Sequence, residues 1–116
     1  EVDYIGSCAI DAALMEAAGI TPNEQIHLWN VTNGARLVTY AIEAPADSGI
    51  ISVNGSAAHQ ARVGDILILA AFGQFSEEEA HIHQPRVIFV DQHNRRISQT
   101  DAEQLGIVTK PVPNPT

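Results

Sequence analysis

Asn33-Gly34 separates two segments rich in strand-forming residues, Gln25–Thr32 and Arg36–Glu43, and leaves room only for a tight turn between them. An Asn-Gly pair accepts the positive φ angles of a two-residue hairpin turn, so this stretch reads as a β-hairpin. A second pair, Asn54-Gly55, closes a strand expected over Ile50–Val53. Val63-Gly64-Asp65 then turns the chain into Ile66–Phe72. That run is apolar on both faces, which predicts a buried strand rather than a half-solvated one. Arg86–Asp91 reads as the last strand.

Helices are few and short. Asp11 is a good N-cap for an Ala- and Leu-rich helix to about Ala18, and Gly19 suits its C-terminal stop. Ser56–His59 has room for a single helical turn. Ser76 and Glu79 have capping-box spacing, and Pro85 limits the helix that follows. Residues 1–10 alternate poorly, and no strand is expected there. Five or six short strands and two or so short helices predict a mainly β fold, a small barrel. The barrel domain is expected over residues 7–105, with residues 1–6 upstream. Residues 106–116 are expected to form an extended, disordered tail, since three of the last six residues are proline.

The chain carries 14 acidic and 6 basic residues, a formal net charge of −8. That charge argues against nucleic acid or an anionic membrane as partner. No apolar run reaches the roughly 20 residues of a membrane span, and the acidic start is unlike a secretory signal. A cytoplasmic location is the expectation. The sequence starts at Glu1 rather than Met, so a processed or truncated chain is expected. One cysteine, Cys8, excludes an internal disulfide or a multi-cysteine zinc site. The single lysine, Lys110, lies in the proline-rich tail, which argues against pyridoxal-phosphate or lysine Schiff-base chemistry.

A carbonyl could instead come from the chain itself. Gly6-Ser7 places a hydroxyl next to a carbonyl that no side chain shields. Attack of Ser7 Oγ on the Gly6 carbonyl forms an ester, β-elimination leaves dehydroalanine, and hydrolysis with loss of ammonia leaves a pyruvoyl group. A Gly-Ser pair alone does not distinguish this from an ordinary turn.

Three further motifs do. Tyr4-x-Gly6-Ser7, the stretch from Trp29 to Ile42, and Ile51-x-Val53-Asn54-Gly55-x-Ala57-Ala58-His59 with Val63-Gly64-Asp65 occur in order. Together they resemble bacterial aspartate 1-decarboxylase from about Asp3 to Asp91. The resemblance implies a double-psi β-barrel, a homotetramer with active sites at subunit interfaces, and a covalent pyruvoyl cofactor derived from Ser7. It implies decarboxylation of L-aspartate to β-alanine for pantothenate synthesis, after self-cleavage between Gly6 and Ser7. A maturation factor is a further partner it allows. It also implies roles: Ser7 as pyruvoyl precursor and Schiff-base site, Thr39 in self-processing, Tyr40 as proton donor, and Arg36 as carboxylate ligand. Asn54, Gly55, Ser56 and Ala57 are implied in substrate binding. Ser56 stands where the family usually has alanine, and the family's usual N-terminal strand, with a lysine and a histidine, is expected to be missing ahead of Glu1. A pyruvoyl decarboxylase of another amino acid and an uncleaved, non-catalytic relative are the alternatives.

Strand periodicity sets one difficulty. Arg36, Val38 and Tyr40 share a face, while Thr39 points the other way. A site shared between subunits or a bulge would each answer it. No metal is expected: His81 and His83 would share a strand face, but two histidines fall short of a site. Cys8 reads as a small buried residue, and His59 as a site-lining or structural residue. Trp29 reads as a core or interface residue.

Overall fold

The computed structural model describes residues 6–106. The residues before Gly6, including Tyr4, and the proline-rich tail with Lys110 lie outside the described residues.

The hairpin at Asn33-Gly34 forms as expected: β2 (Gln25–Asn30) pairs antiparallel with β3 (Arg36–Ala44). The nine residues of β3 serve two neighbours in succession. Its first half, Arg36–Tyr40, pairs with β2, and its second half, Ala41–Ala44, runs parallel to β1 (Cys8–Asp11). β4 (Ile51–Val53) pairs antiparallel with the other side of β1, and β5 (Leu67–Ala70) with the other side of β2. The five-stranded sheet therefore has the order β4-β1-β3-β2-β5. Phe89–Val90 (β6) and Arg96–Ile97 (β7) form a separate small hairpin. The mainly β class expected from the turns is what the chain adopts, and the curled sheet is consistent with a small double-psi barrel.

β1 was not expected. It lies between β3 and β4, and Cys8, Ile10 and Asp11 are all buried. A strand covered on both faces has no polar side to alternate with, so its sequence lacks the period-2 signature. Cys8, Ile10, Ile26, Leu28 and Ala41 meet Leu14 and Met15 of α1 (Ala12–Ala18) in the core. α1 has the expected ends, with Asp11 accepting from the Ala13 N–H and Gly19 at φ 77° closing the helix.

The other short helices are α2 (Glu77–Ile82), with both capping-box bonds of Ser76 and Glu79, and α3 (Gln99–Gln104). α3 was not anticipated, although Ser98 caps it by accepting from the Asp101 N–H. Residues Gly55–Gln60 form a 3₁₀ helix, slightly longer than the single turn expected.

The expectation for Ile66–Phe72 requires correction. β5 is an edge strand; Ile68 is 47% exposed and Phe72 63%. Leu67 and Leu69 pack on the core, whereas Ile68 sits opposite Trp29 on the other face. That outer face also carries Val38 and Tyr40, both exposed. The apolar run thus covers the core with one side and builds an exposed apolar patch with the other, a feature that marks interaction surfaces.

Asp11 ties β1 to the loop before β4. Its buried carboxylate accepts from the N–H groups of Ala13, Asp47 and Gly49, each at 2.9 Å. These bonds, that from Gly49 foremost, hold its pKa below the usual carboxylate value. A depressed folded-state pKa contributes stability that is present above the unfolded value, about 4, and is lost as pH falls through the folded value. Asp11→Asn should therefore unfold at a lower temperature than the parent at pH 7, with the gap narrowing as pH falls below about 4. Thermal melts of both chains between pH 7 and 2.5 check this; a gap independent of pH would refute it.

Candidate active site

Gly6 enters the sheet at φ 100°, in the region that side chains disfavour. A Cβ built there would collide with the Asn54 carbonyl oxygen, so glycine is required on two grounds. Ser7 follows at 3% exposure, immediately before β1. Its carbonyl accepts from the Asn54 N–H at 2.8 Å. Its Oγ lies 3.2 Å from Asn54 Nδ2, and Asn54 Oδ1 accepts from the Ser52 hydroxyl at 3.0 Å.

Thr39 is 5% exposed, on the inward face of β3. Its hydroxyl donates to the Gly6 carbonyl oxygen at 2.8 Å. The parallel β1–β3 pairing brings about this contact, because Cys8 registers with Ala41 and so lays Gly6 alongside Thr39. Four of the expected site residues, Gly6, Ser7, Thr39 and Asn54, are therefore brought together. Gly55 begins the 3₁₀ helix right after Asn54; Ser56 is exposed in its first turn and Ala57 is buried.

Arg36 and Tyr40 are not brought to Ser7. They stand on the outer face, opposite Thr39. The β2–β3 register is one-to-one from Arg36 to Tyr40, so no bulge turns them inward. Arg36 instead places its guanidinium 5.5 Å from the centre of the Trp29 ring. Trp29 belongs to an outer aromatic group with His27 and Phe72 rather than to the core.

Cys8 is fully buried, and burial pushes its thiol pKa up to about 11. It stays protonated at neutral pH, as a small buried thiol does. His59 is exposed near the end of the 3₁₀ helix. His81 lies in α2, and the His83 ring sits 4.3 Å from Phe75, so the strand geometry that would align the two histidines does not form. Among the described residues no three His, Cys, Asp or Glu side chains gather as metal ligands do. No helix among them is long and apolar enough to cross a membrane.

The fold and the site define a small, mainly β chain built around a buried Gly6-Ser7 pair whose glycine carbonyl accepts from the Thr39 hydroxyl. Residues 1–97 match the family model for aspartate decarboxylase, and the chain belongs to that family. It is 58% identical over 94 residues to the aspartate 1-decarboxylase of Acinetobacter baumannii strain AB307-0294, covering 81% of this chain and 75% of that protein. It is likewise 58% identical over 97 residues to the aspartate 1-decarboxylase of Acidovorax sp. strain JS42, covering 84% and 77%. The aspartate 1-decarboxylase of Acinetobacter baylyi is similar to the same degree, 58% over 94 residues.

Proposed function

We propose that this chain decarboxylates L-aspartate to β-alanine, using a pyruvoyl group that it makes from Ser7. Family membership supports the reaction, and the Thr39 bond to the Gly6 carbonyl is the observation that carries the self-processing.

Ser7 Oγ attacks the Gly6 carbonyl carbon, and the oxygen that gains charge already faces the Thr39 hydroxyl. The Gly6–Ser7 C–N bond breaks and its nitrogen takes up a proton, leaving an ester. Loss of the Ser7 Cα proton then expels the Gly6 carboxylate from Cβ, and water replaces the nitrogen as ammonia leaves. The residues present fit the group this creates: it would lie buried beside Asn54 Nδ2, a donor for its oxygen. When formed, the ketone supplies an electrophile for the substrate amine and an electron sink for loss of CO2.

The chain's other residues bind and orient. The Arg36 fork suits the substrate's side-chain carboxylate, and the Trp29 ring beneath it limits where that fork can point. The Tyr40 hydroxyl delivers a proton to the carbon that loses CO2. The Gly55–Ala57 turn, which follows Asn54, offers backbone amides to the substrate. Because Arg36 and Tyr40 face away from the Ser7 of their own chain, a second copy completes the site across the apolar outer face. A homotetramer with shared sites is the assembly this reading takes.

The direct test is an intact mass spectrum of the purified protein together with β-alanine release from L-aspartate. A fragment beginning at residue 7 and lighter than its serine-ended form by one ammonia is expected, with β-alanine formed in proportion to it. An uncut, inactive chain would favour a non-catalytic relative; a cut chain that ignores aspartate would favour another amino acid. Shared sites make a separate prediction. Ser7→Ala and Arg36→Ala should each be nearly inactive, yet their co-expressed mixture should regain about a quarter of the active sites, as random pairing across a heterologous interface requires. A mixture no better than its parts would place each site within one chain.

A further inference from the structure

Asn30 is a fully engaged polar side chain outside the residues assigned so far. It is 2% exposed. Its Oδ1 accepts from the N–H groups of Thr32 and Asn33, at 2.9 and 3.2 Å. Its Nδ2 donates to the Gln60 carbonyl at 2.9 Å and to Asp65 Oδ2 at 2.8 Å. All four hydrogen-bonding positions of the amide are thus used, and the two N–H donors facing Oδ1 fix which way it points.

The partners of Nδ2 matter more than their number. Gln60 is the last residue of the 3₁₀ helix whose first residues are Gly55, Ser56 and Ala57. At the near end, Asn54 is held to Ser7 by its N–H and its side chain. At the far end, Asn30 holds the Gln60 carbonyl, assisted by Asn33 Nδ2 at 3.2 Å. The same Asp65 oxygen that Asn30 reaches also accepts from the Arg62 N–H at 2.9 Å, which fixes the turn leaving Gln60. Those bonds, that from Asn30 first, keep the Asp65 carboxyl below its ordinary pKa, so it is charged at neutral pH. Six residues between two clamps are the whole turn. A short 3₁₀ helix has weak internal bonds of its own, so its position depends on its ends.

We propose that Asn30 and Asp65 are positioning residues for substrate, which hold the Gly55–Ala57 turn from its far end through the Gln60 carbonyl. This rests on the assignment of Gly55–Ala57 to substrate binding. Ser7, Thr39 and Asn54 are held independently by β1, β3 and the start of β4's turn, so self-cleavage does not depend on the far clamp.

Asn30→Ala removes both Nδ2 bonds and leaves the Gln60 carbonyl only the 3.2 Å bond from Asn33 Nδ2. Asp65→Ala removes only the clamp's charged half and is the safer variant for folding. Asp65→Asn is the conservative control, because a single amide oxygen can accept from both Asn30 Nδ2 and the Arg62 N–H. In both alanine variants the KM for aspartate should rise about tenfold, the effect of one lost hydrogen bond, with kcat and Gly6–Ser7 cleavage within about twofold of the parent. Asp65→Asn should restore the parental KM. Hydrogen exchange at the Gly55–Ala57 amides should quicken about tenfold in the alanine variants, while Cys8–Asp11 amides are unchanged. An unchanged KM, unchanged exchange at Gly55–Ala57, or exchange that quickens equally in β1 would each overturn the proposal. Should the parent protein not turn over aspartate, the assignment of the turn to substrate fails, and the exchange measurements still decide whether the clamp exists.

Discussion

Ser7→Ala leaves the chain as one uncut species that releases no β-alanine. The fold should survive the change. Ser7 is a small buried residue, alanine fits the same space, and the one side-chain bond lost is that from Asn54 Nδ2 at 3.2 Å. Asn54 retains its contact with the Ser52 hydroxyl and its backbone bond to the Ser7 carbonyl. The cost to stability should be about 1 kcal/mol, the typical net worth of one hydrogen bond. The cost to function should be total, because Ser7 Oγ is both the nucleophile for cleavage and the atom whose departure leads to the ketone. The adjacent Cys8 does not replace it, because its thiol is fully buried and, with its pKa pushed up to about 11, stays protonated at neutral pH. Intact mass, a thermal melt and a β-alanine assay on one preparation separate these effects. A folded, uncut Ser7→Ala chain that still forms β-alanine would end the pyruvoyl reading.

Part of the candidate site is legible because its residues carry their reasons locally. Gly6 and Ser7 are adjacent, and Asn54-Gly55 announces its own turn. The β3 alternation correctly divided Thr39 from Arg36 and Tyr40, and the continuous register with β2 removes the bulge that could have reunited them. What the sequence could not carry was long-range. β1 is covered on both faces, so it shows no period, and its parallel pairing with β3 joins residues more than 30 positions apart. That pairing, not any local motif, sets Thr39 against Gly6. The error over Ile66–Phe72 has a related cause. An apolar run does not say whether both of its faces meet the chain's own core, and here only one does. Asn30 carries no local signal of its place in the fold, because its partners lie 30 and 35 positions away.

Thr39→Val should slow cleavage of the Gly6–Ser7 bond by about 100-fold or more, the effect of deleting one oxyanion donor. Valine matches threonine in shape, so packing on the inward face of β3 is preserved, but the donor to the Gly6 carbonyl is gone. The same loss acts twice. In the resting chain it leaves a buried carbonyl without its hydroxyl partner, which costs about 1–3 kcal/mol of stability. During cleavage the oxygen becomes negative, so the missing donor costs more in the transition state than at rest, and the rate falls. Only that difference slows the reaction, which is why a loss of stability alone would not explain it. Thr39→Ser supplies the control, since it returns the hydroxyl and removes only a methyl group; its cleavage should return to near the parental rate. Mass spectra taken over days after purification give the rate directly. The fraction of Thr39→Val that does cut should then turn over aspartate at close to the parental kcat, because the donor serves the carbonyl that leaves with Gly6. If the cut fraction is inactive, Thr39 touches the substrate as well. If Thr39→Val cuts as fast as the parent, the 2.8 Å bond to Gly6 is structural and the driving interaction for self-cleavage lies elsewhere.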